Sequence, residues 1–188
     1  MMIREMSRNE CIQVFVRSRL YRLACAKDNQ PYVVPVYLAY HEASGCLYGF
    51  TTQGQKVDWM RANPKVCVEV DEISADDRWV SVIAIGRYDE LAEAPGRDVA
   101  CLEAPERPGQ VGEPIPAWTV DSHRDDDQRG RAWQILKAHP EWWEPGSTAW
   151  TARSNRNPAD PFIPIFYRVR FDHVTGHEST TRRDSLTF

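Results

Sequence analysis

A chain of 188 residues, 42% hydrophobic and 27% charged, is long enough for one globular domain with its own core. Its net charge of −4 gives nonspecific nucleic-acid binding no electrostatic support. It contains no run of about 18 apolar residues, as a membrane-spanning helix requires. The start Met1-Met2-Ile3-Arg4-Glu5 lacks the apolar stretch of a secretory signal, so a cytoplasmic protein is the expectation.

Ser7-Arg8-Asn9-Glu10 sets a hydroxyl three residues before a carboxylate, the capping-box pattern, and Ile12, Phe15 and Val16 follow at helical spacing. The pattern predicts a helix over about residues 8–18. Leu20 to Lys27 is short and apolar and runs into the turn signal Asp28-Asn29-Gln30. Tyr32 to Tyr40 is rich in valine and tyrosine and reads as a strand. Pro35 inside it cannot donate to a ladder, so it marks an edge, a bulge, or a place where a ligand takes over. His41 to Gly45 is a turn and Cys46 to Thr51 a third strand, and the three together predict an antiparallel meander.

The period then changes. A short helix opens near Gln55 and ends at Asn63-Pro64, since Pro64 cannot continue it and Asn63 is biased away from helical angles. Lys65 to Asp71 alternates as a strand, and Trp79 to Glu90 is another, with Gly86 suited to a bulge or a barrel bend. Residues 95–104 predict a short helix, 105–116 a proline-rich loop, 127–139 a helix and 144–161 a long loop. Phe162 to Asp172 returns to strand character, and residues 174–188 read as a polar tail. Consecutive short strands with helices at the ends and in one insertion predict a mainly β protein, a small barrel with peripheral helices rather than a parallel α/β sheet. The expected organisation is a single domain over residues 1–188 with an insertion at about 95–160.

The five cysteines, Cys11, Cys25, Cys46, Cys67 and Cys101, are widely spaced and form no C-x-x-C pair. Cys11, Cys25 and Cys67 lie in apolar, regularly patterned stretches and are expected to be small buried hydrophobes; no disulfide framework, zinc site or other metal is expected. The histidines His41, His123, His139, His173 and His177 are scattered and lack a partner at motif spacing, so no catalytic triad is read from them.

The chemically informative stretch is Thr51-Thr52-Gln53-Gly54-Gln55-Lys56, where a strand ends in hydroxyls, a glycine follows, and a lysine opens a helix. Amides at a helix start point outward and its dipole favours an anion. Lys56 adds a charge, Thr51 and Thr52 add hydroxyls, and Gly54 lets backbone approach a phosphate. On local physics alone, a strand–turn–helix with a solvated lysine accounts for the same residues. The glycine spacing differs from the G-x-x-x-x-G-K-[ST] phosphate loop.

The order of segments from Leu20 to Leu91 resembles the pyridoxamine 5′-phosphate oxidase-like, FMN-binding split-barrel superfamily, nearest its nitroimidazole-resistance-type flavoproteins. The matching pieces are Arg22-Leu23-Ala24, Pro31-Tyr32-Val33-Val34-Pro35-Val36, Leu47-Tyr48 with Thr51-Thr52, and Lys56 with Asn63-Pro64. They continue through Val66 to Asp71, Trp79-Val80-Ser81-Val82, Gly86-Arg87, and Phe166 to Arg170 with Val174-Thr175-Gly176. The resemblance implies a split β-barrel that holds FMN at a homodimer interface. It implies that Val34, Pro35 and Val36 present backbone atoms to the polar edge of the flavin, that Thr51 and Thr52 lie near the ring or ribityl chain, and that Lys56, helped by Gln55, binds the phosphate. Gln55 stands where the oxidases usually carry an arginine, and Ser81 stands where they carry a ring-contacting glutamine. Trp142 and Trp143 are candidates to cover the flavin, or else core or interface residues. The implied activity is flavin hydride transfer to an unidentified small molecule, without a dedicated acid or base residue. The oxidases' basic C-terminal substrate signature is not found, so a vitamin B6 phosphate is not the expected substrate. The alternatives are a flavin or haem carrier without turnover, or use of the deazaflavin F420.

Overall fold

A computed structural model describes residues 2–91, 128–138 and 164–180. In chain order these are β1 (Met2–Glu5), α1 (Arg8–Arg17), β2 (Leu20–Lys27), β3 (Gln30–Tyr37), β4 (Ala39–His41), β5 (Cys46–Thr51), α2 (Gln55–Ala62), β6 (Lys65–Ala75), β7 (Arg78–Glu90), α3 (Gln128–Lys137) and β8 (Ile165–Thr180). The strands form one antiparallel sheet in the order β3-β2-β6-β7-β8-β5-β4, with β1 added alongside β8. The two ends of that path, β3 and β4, are separated in the chain only by Leu38 yet do not pair. A sheet whose unpaired ends lie one residue apart must curl round on itself, which is the geometry of a split β-barrel.

Two expectations about the sheet are corrected. The stretch Tyr32 to Tyr40 is not one strand of a three-strand meander: it breaks at the fully buried Leu38, whose amide bonds to the Arg19 carbonyl at 3.0 Å. Among the described residues β3 therefore pairs with β2 alone, and β5 lies between β4 and β8. The polar stretch after Asp172 is not a tail up to Thr180, because β8 continues between β7 and β1. The expected helix at 95–104 and the expected loops at 105–116 and 144–161 lie outside the described residues.

Local chemistry explains several turns. Asp28 and Asn29 have φ of 51° and 62°, the left-handed pair of a tight two-residue hairpin between β2 and β3. Pro35 sits on an edge strand, where its missing N–H costs nothing. At Gly86 the β7–β8 register slips, Ile85 facing His173 while Gly86 faces Phe171.

The barrel interior is filled by alternate residues of its strands, among them Tyr21, Leu23, Val68, Val82, Ala84, Tyr167 and Val169, closed at one end by Val14 and Phe15 of α1. Cys11 and Cys25 are buried as expected, Cys67 is only half-buried, Cys46 is buried as well, and Cys101 lies outside the described residues. A second apolar cluster lies between α3 and the β4–β5–β8 side, through Ala132, Leu136, Tyr48 and Phe166.

The capping box of α1 is formed: the Ser7 amide donates to Glu10 Oε2 at 2.7 Å, and the Glu10 amide to Ser7 Oγ at 3.4 Å. Arg4 joins Glu10 at 2.6 Å, and this guanidinium, helped by the Ser7 hydroxyl and amide, holds the Glu10 carboxyl at about 2, against an ordinary 4.5. A carboxyl depressed on folding stabilises the native state above its unfolded value and loses that contribution as pH falls. Glu10 therefore contributes fully above about pH 4.5 and progressively less down to about pH 2. In Glu10→Gln, thermal melting is expected to depend less steeply on pH across that window than in wild type.

Candidate functional site

The start of α2 follows directly from β5. Thr51, the last residue of β5, pairs with Ile165 and, like Thr52, is half-buried. Gly54 precedes the helix in extended conformation and supplies no side-chain cap. Its carbonyl accepts from the amides of Val57 at 2.9 Å and Asp58 at 3.1 Å, so the earlier amides point out of the helix start. Among the described residues, a Cβ built on Gly54 meets nothing within 4 Å. This is an open approach to a positive helix terminus, with Lys56 in its first turn.

Packing fixes where that terminus lies. Val57 and Met60 are fully buried, and Trp59 lies against Tyr32 of β3 with ring centroids 5.6 Å apart. The Asn63 side-chain amide donates to the Ala26 carbonyl of β2 at 2.9 Å. Lys56 is half-buried and close enough to Cys25 to act on its thiol: burial pushes Cys25 up, and the Lys56 charge works in the opposite sense. Cys25 pairs with Tyr32. Thr51, Thr52, Gln55 and Lys56 are thus gathered by chain continuity, and α2 sets them against the β2–β3 end of the sheet. Val34 is two residues along β3 from Tyr32, about 7 Å away. Val36 is buried, Val34 half-buried and Pro35 exposed, and the far edge of β3 carries no strand among the described residues.

Ser81 is not brought to this corner within one chain. It lies five residues along β7 from Gly86, which shares a row with Val66 and Cys25, a separation of about 17 Å. It also points the other way, onto the outer face, where its hydroxyl donates to Glu69 Oε1 at 3.5 Å. Arg22 bonds Glu69 at 3.0 Å and also Asp71 on that face. Trp142 and Trp143 lie outside the described residues.

A second set of residues at the corner has no sequence motif. Arg61, in the last turn of α2, donates through Nη1 to Gln53 Oε1 at 2.8 Å, and through Nε and Nη2 to the two carboxylate oxygens of Glu90, each at 2.7 Å. Gln53 Nε2 in turn donates to Asp58 Oδ1. The Arg61 guanidinium holds the Glu90 carboxyl below its usual range, against the opposing effect of burial. The spacing of Arg61 and Glu90, 29 positions apart, gives no local periodicity to read. Among the described residues, no group of three His, Cys, Asp or Glu side chains could hold a metal ion.

The arrangement can hold a phosphate: outward amides and a lysine lie at the start of α2, with two threonines just before it. Comparisons with known proteins agree with the fold. The family model for pyridoxamine 5′-phosphate oxidase matches residues 7–141. An uncharacterized protein of Rhizobium meliloti (strain 1021) is 35% identical over 176 residues, covering 94% of this chain and 95% of that one. A crystal structure of an FAD-binding protein from Mesorhizobium loti is 35% identical, with a TM-score of 0.62, over 96% of this chain and 99% of that one. A Bacteroides thetaiotaomicron structure described as a candidate 5-nitroimidazole antibiotic resistance protein shares the fold at 12% identity, with a TM-score of 0.55 over 95% and 89% of the two chains.

Proposed function

The chain belongs to the pyridoxamine 5′-phosphate oxidase family, and from that premise we propose that it binds FMN and acts as an oxidoreductase on a small molecule. The observation that carries this reading is the uncovered start of α2, with Lys56 in its first turn and open space at Gly54. Lys56 and the outward amides hold the phosphate, with Gln55 beside them. Thr51 and Thr52 offer hydroxyls to the ribityl chain, and at the free edge of β3 the Pro35 carbonyl, between Val34 and Val36, faces outward to the polar edge of the ring. Bound there, the flavin supplies hydride transfer at N5, and the protein supplies binding and orientation. We propose a single split-barrel domain over residues 1–188 with an insertion at about 95–160, and Trp142 as a residue that binds the flavin. No helix among the described residues is long and apolar enough to cross a membrane, and we assign the protein to the cytoplasm.

The outer face supports a homodimer. Val33, Ala24, Cys67 and Ile85 form one row across four strands, and Pro35, Arg22, Glu69 and Ile83 form the next. Val33 is 58% exposed and Ile85 52%. Exposed large apolar side chains aligned across a sheet mark a surface that a partner covers, and we assign that partner as a second copy, which brings Ser81 within reach of the flavin it shares. Ile85→Glu is expected to sediment at half the wild-type mass. A monomeric wild-type protein at working concentration contradicts the dimer.

The FAD-binding protein of Mesorhizobium loti favours a second reading, in which FAD is the ligand and its pyrophosphate takes the α2 site. Mass spectrometry of the ligand released from purified protein, with titration of the stripped protein, tests both. Release of FMN supports the first reading and release of FAD the second. A colourless protein that titrates with neither overturns both.

A further inference from the structure

Resting on that flavin reading, we infer that Arg61 is a positioning residue, which sets the phosphate-binding loop through Gln53 and is itself fixed by Glu90. Gly54 has no side chain to cap α2 and, among the described residues, nothing packed at its Cβ position, so neither capping nor packing by them at Gly54 holds the entry to the helix. The residue just before it is held instead. Gln53 is bonded at both ends of its amide, accepting from Arg61 Nη1 at 2.8 Å and donating to Asp58 Oδ1. Arg61 spends its other two donor positions on both oxygens of Glu90, so the guanidinium plane is fixed rather than free to swing.

Glu90 is tied down in turn, since the half-buried hydroxyl of Tyr88 donates to its Oε2 at 3.2 Å. The chain of contacts runs from a barrel strand through Glu90 and Arg61 to Gln53, and ends at the backbone that presents the outward amides. Arg61 and Glu90 are 43% and 35% exposed, where an ion pair adds little to stability. What the geometry supplies is a fixed orientation for a glycine loop, which pre-organises amides that a flexible loop would first have to order.

The test compares FMN with riboflavin, which has the ring and ribityl chain but no phosphate. Arg61→Lys keeps the charge and loses the fork; Gln53→Met keeps length and loses both hydrogen bonds. Each is expected to weaken FMN about tenfold, the scale of a misplaced charged hydrogen-bond acceptor, while riboflavin affinity and melting temperature stay at wild-type values. Equal losses for both ligands in Gln53→Met, or no loss for FMN in either variant, overturn the inference. Wild-type protein that binds neither ligand overturns the flavin reading and this inference with it, whereas wild-type binding with an unchanged FMN-to-riboflavin ratio in both variants overturns this inference alone.

Discussion

Lys56→Ala is expected to bind FMN about 10- to 150-fold more weakly than wild type, a loss of about 1.5–3 kcal/mol, the range for a hydrogen bond to a charged group. Lys56 stands in the first turn of α2, where the helix dipole and the outward amides already favour an anion, so its contribution adds to a positive site rather than creating one. Part of the affinity therefore survives the substitution. Lys56→Arg, which keeps the charge, should recover part of the loss. Riboflavin should bind both variants as it binds wild type, because nothing in it meets Lys56. Calorimetric titration of the stripped protein separates these cases, and unchanged FMN affinity in Lys56→Ala removes Lys56 from the site.

The largest effect on stability is expected at Gly86. A Cβ there falls 2.1 Å from the carbonyl oxygen of Arg170 and 3.3 Å from the Cα of Phe171. Both are backbone atoms of β8, so no rotamer change relieves the clash, and the register slip at this point already spends the slack in the ladder. Gly86→Ala should cost about 3 kcal/mol, the upper end of ordinary overpacking. For a chain of this length that lowers the melting temperature by roughly 6–12 °C. Gly54→Ala is the control: its Cβ has open space, and the extended backbone there suits any residue. It should melt as wild type does while binding FMN less well, because the added methyl stands where the phosphate approaches. A Gly86→Ala protein with wild-type melting would mean that β7 and β8 separate at the bulge at little cost.

What could be read from the residues was what local chemistry decides. The Ser7–Glu10 capping box, the Asp28-Asn29 turn, the Pro35 edge, the Gly86 bulge and the helix stop at Asn63-Pro64 each follow from the local chemistry of one or two residues. The run from Thr51 to Lys56 was legible for the same reason, since its members are neighbours in the chain. Strand order was not, because β5 pairs with a strand more than a hundred residues later and no periodicity encodes that partner. The second half of β8 has no strand periodicity of its own, because its side chains are largely polar and its strand character comes from the neighbours β7 and β1; only the resemblance at Val174-Thr175-Gly176 points to it. Ser81 was legible as a strand residue but not as one pointing away from Lys56, since that depends on the faces of a closed sheet. Arg61, Gln53 and Glu90 were invisible as a unit, because a charged pair separated by a whole hairpin leaves no pattern in the sequence.

The most direct test is a crystal structure of the protein grown or soaked with FMN. Phosphate density is expected at the start of α2, with an oxygen about 3 Å from Lys56 Nζ and from an amide of the first helical turn, and the ring lying along the free edge of β3. A flavin phosphate found elsewhere, or a helix start that stays filled by solvent at saturating FMN, contradicts that placement.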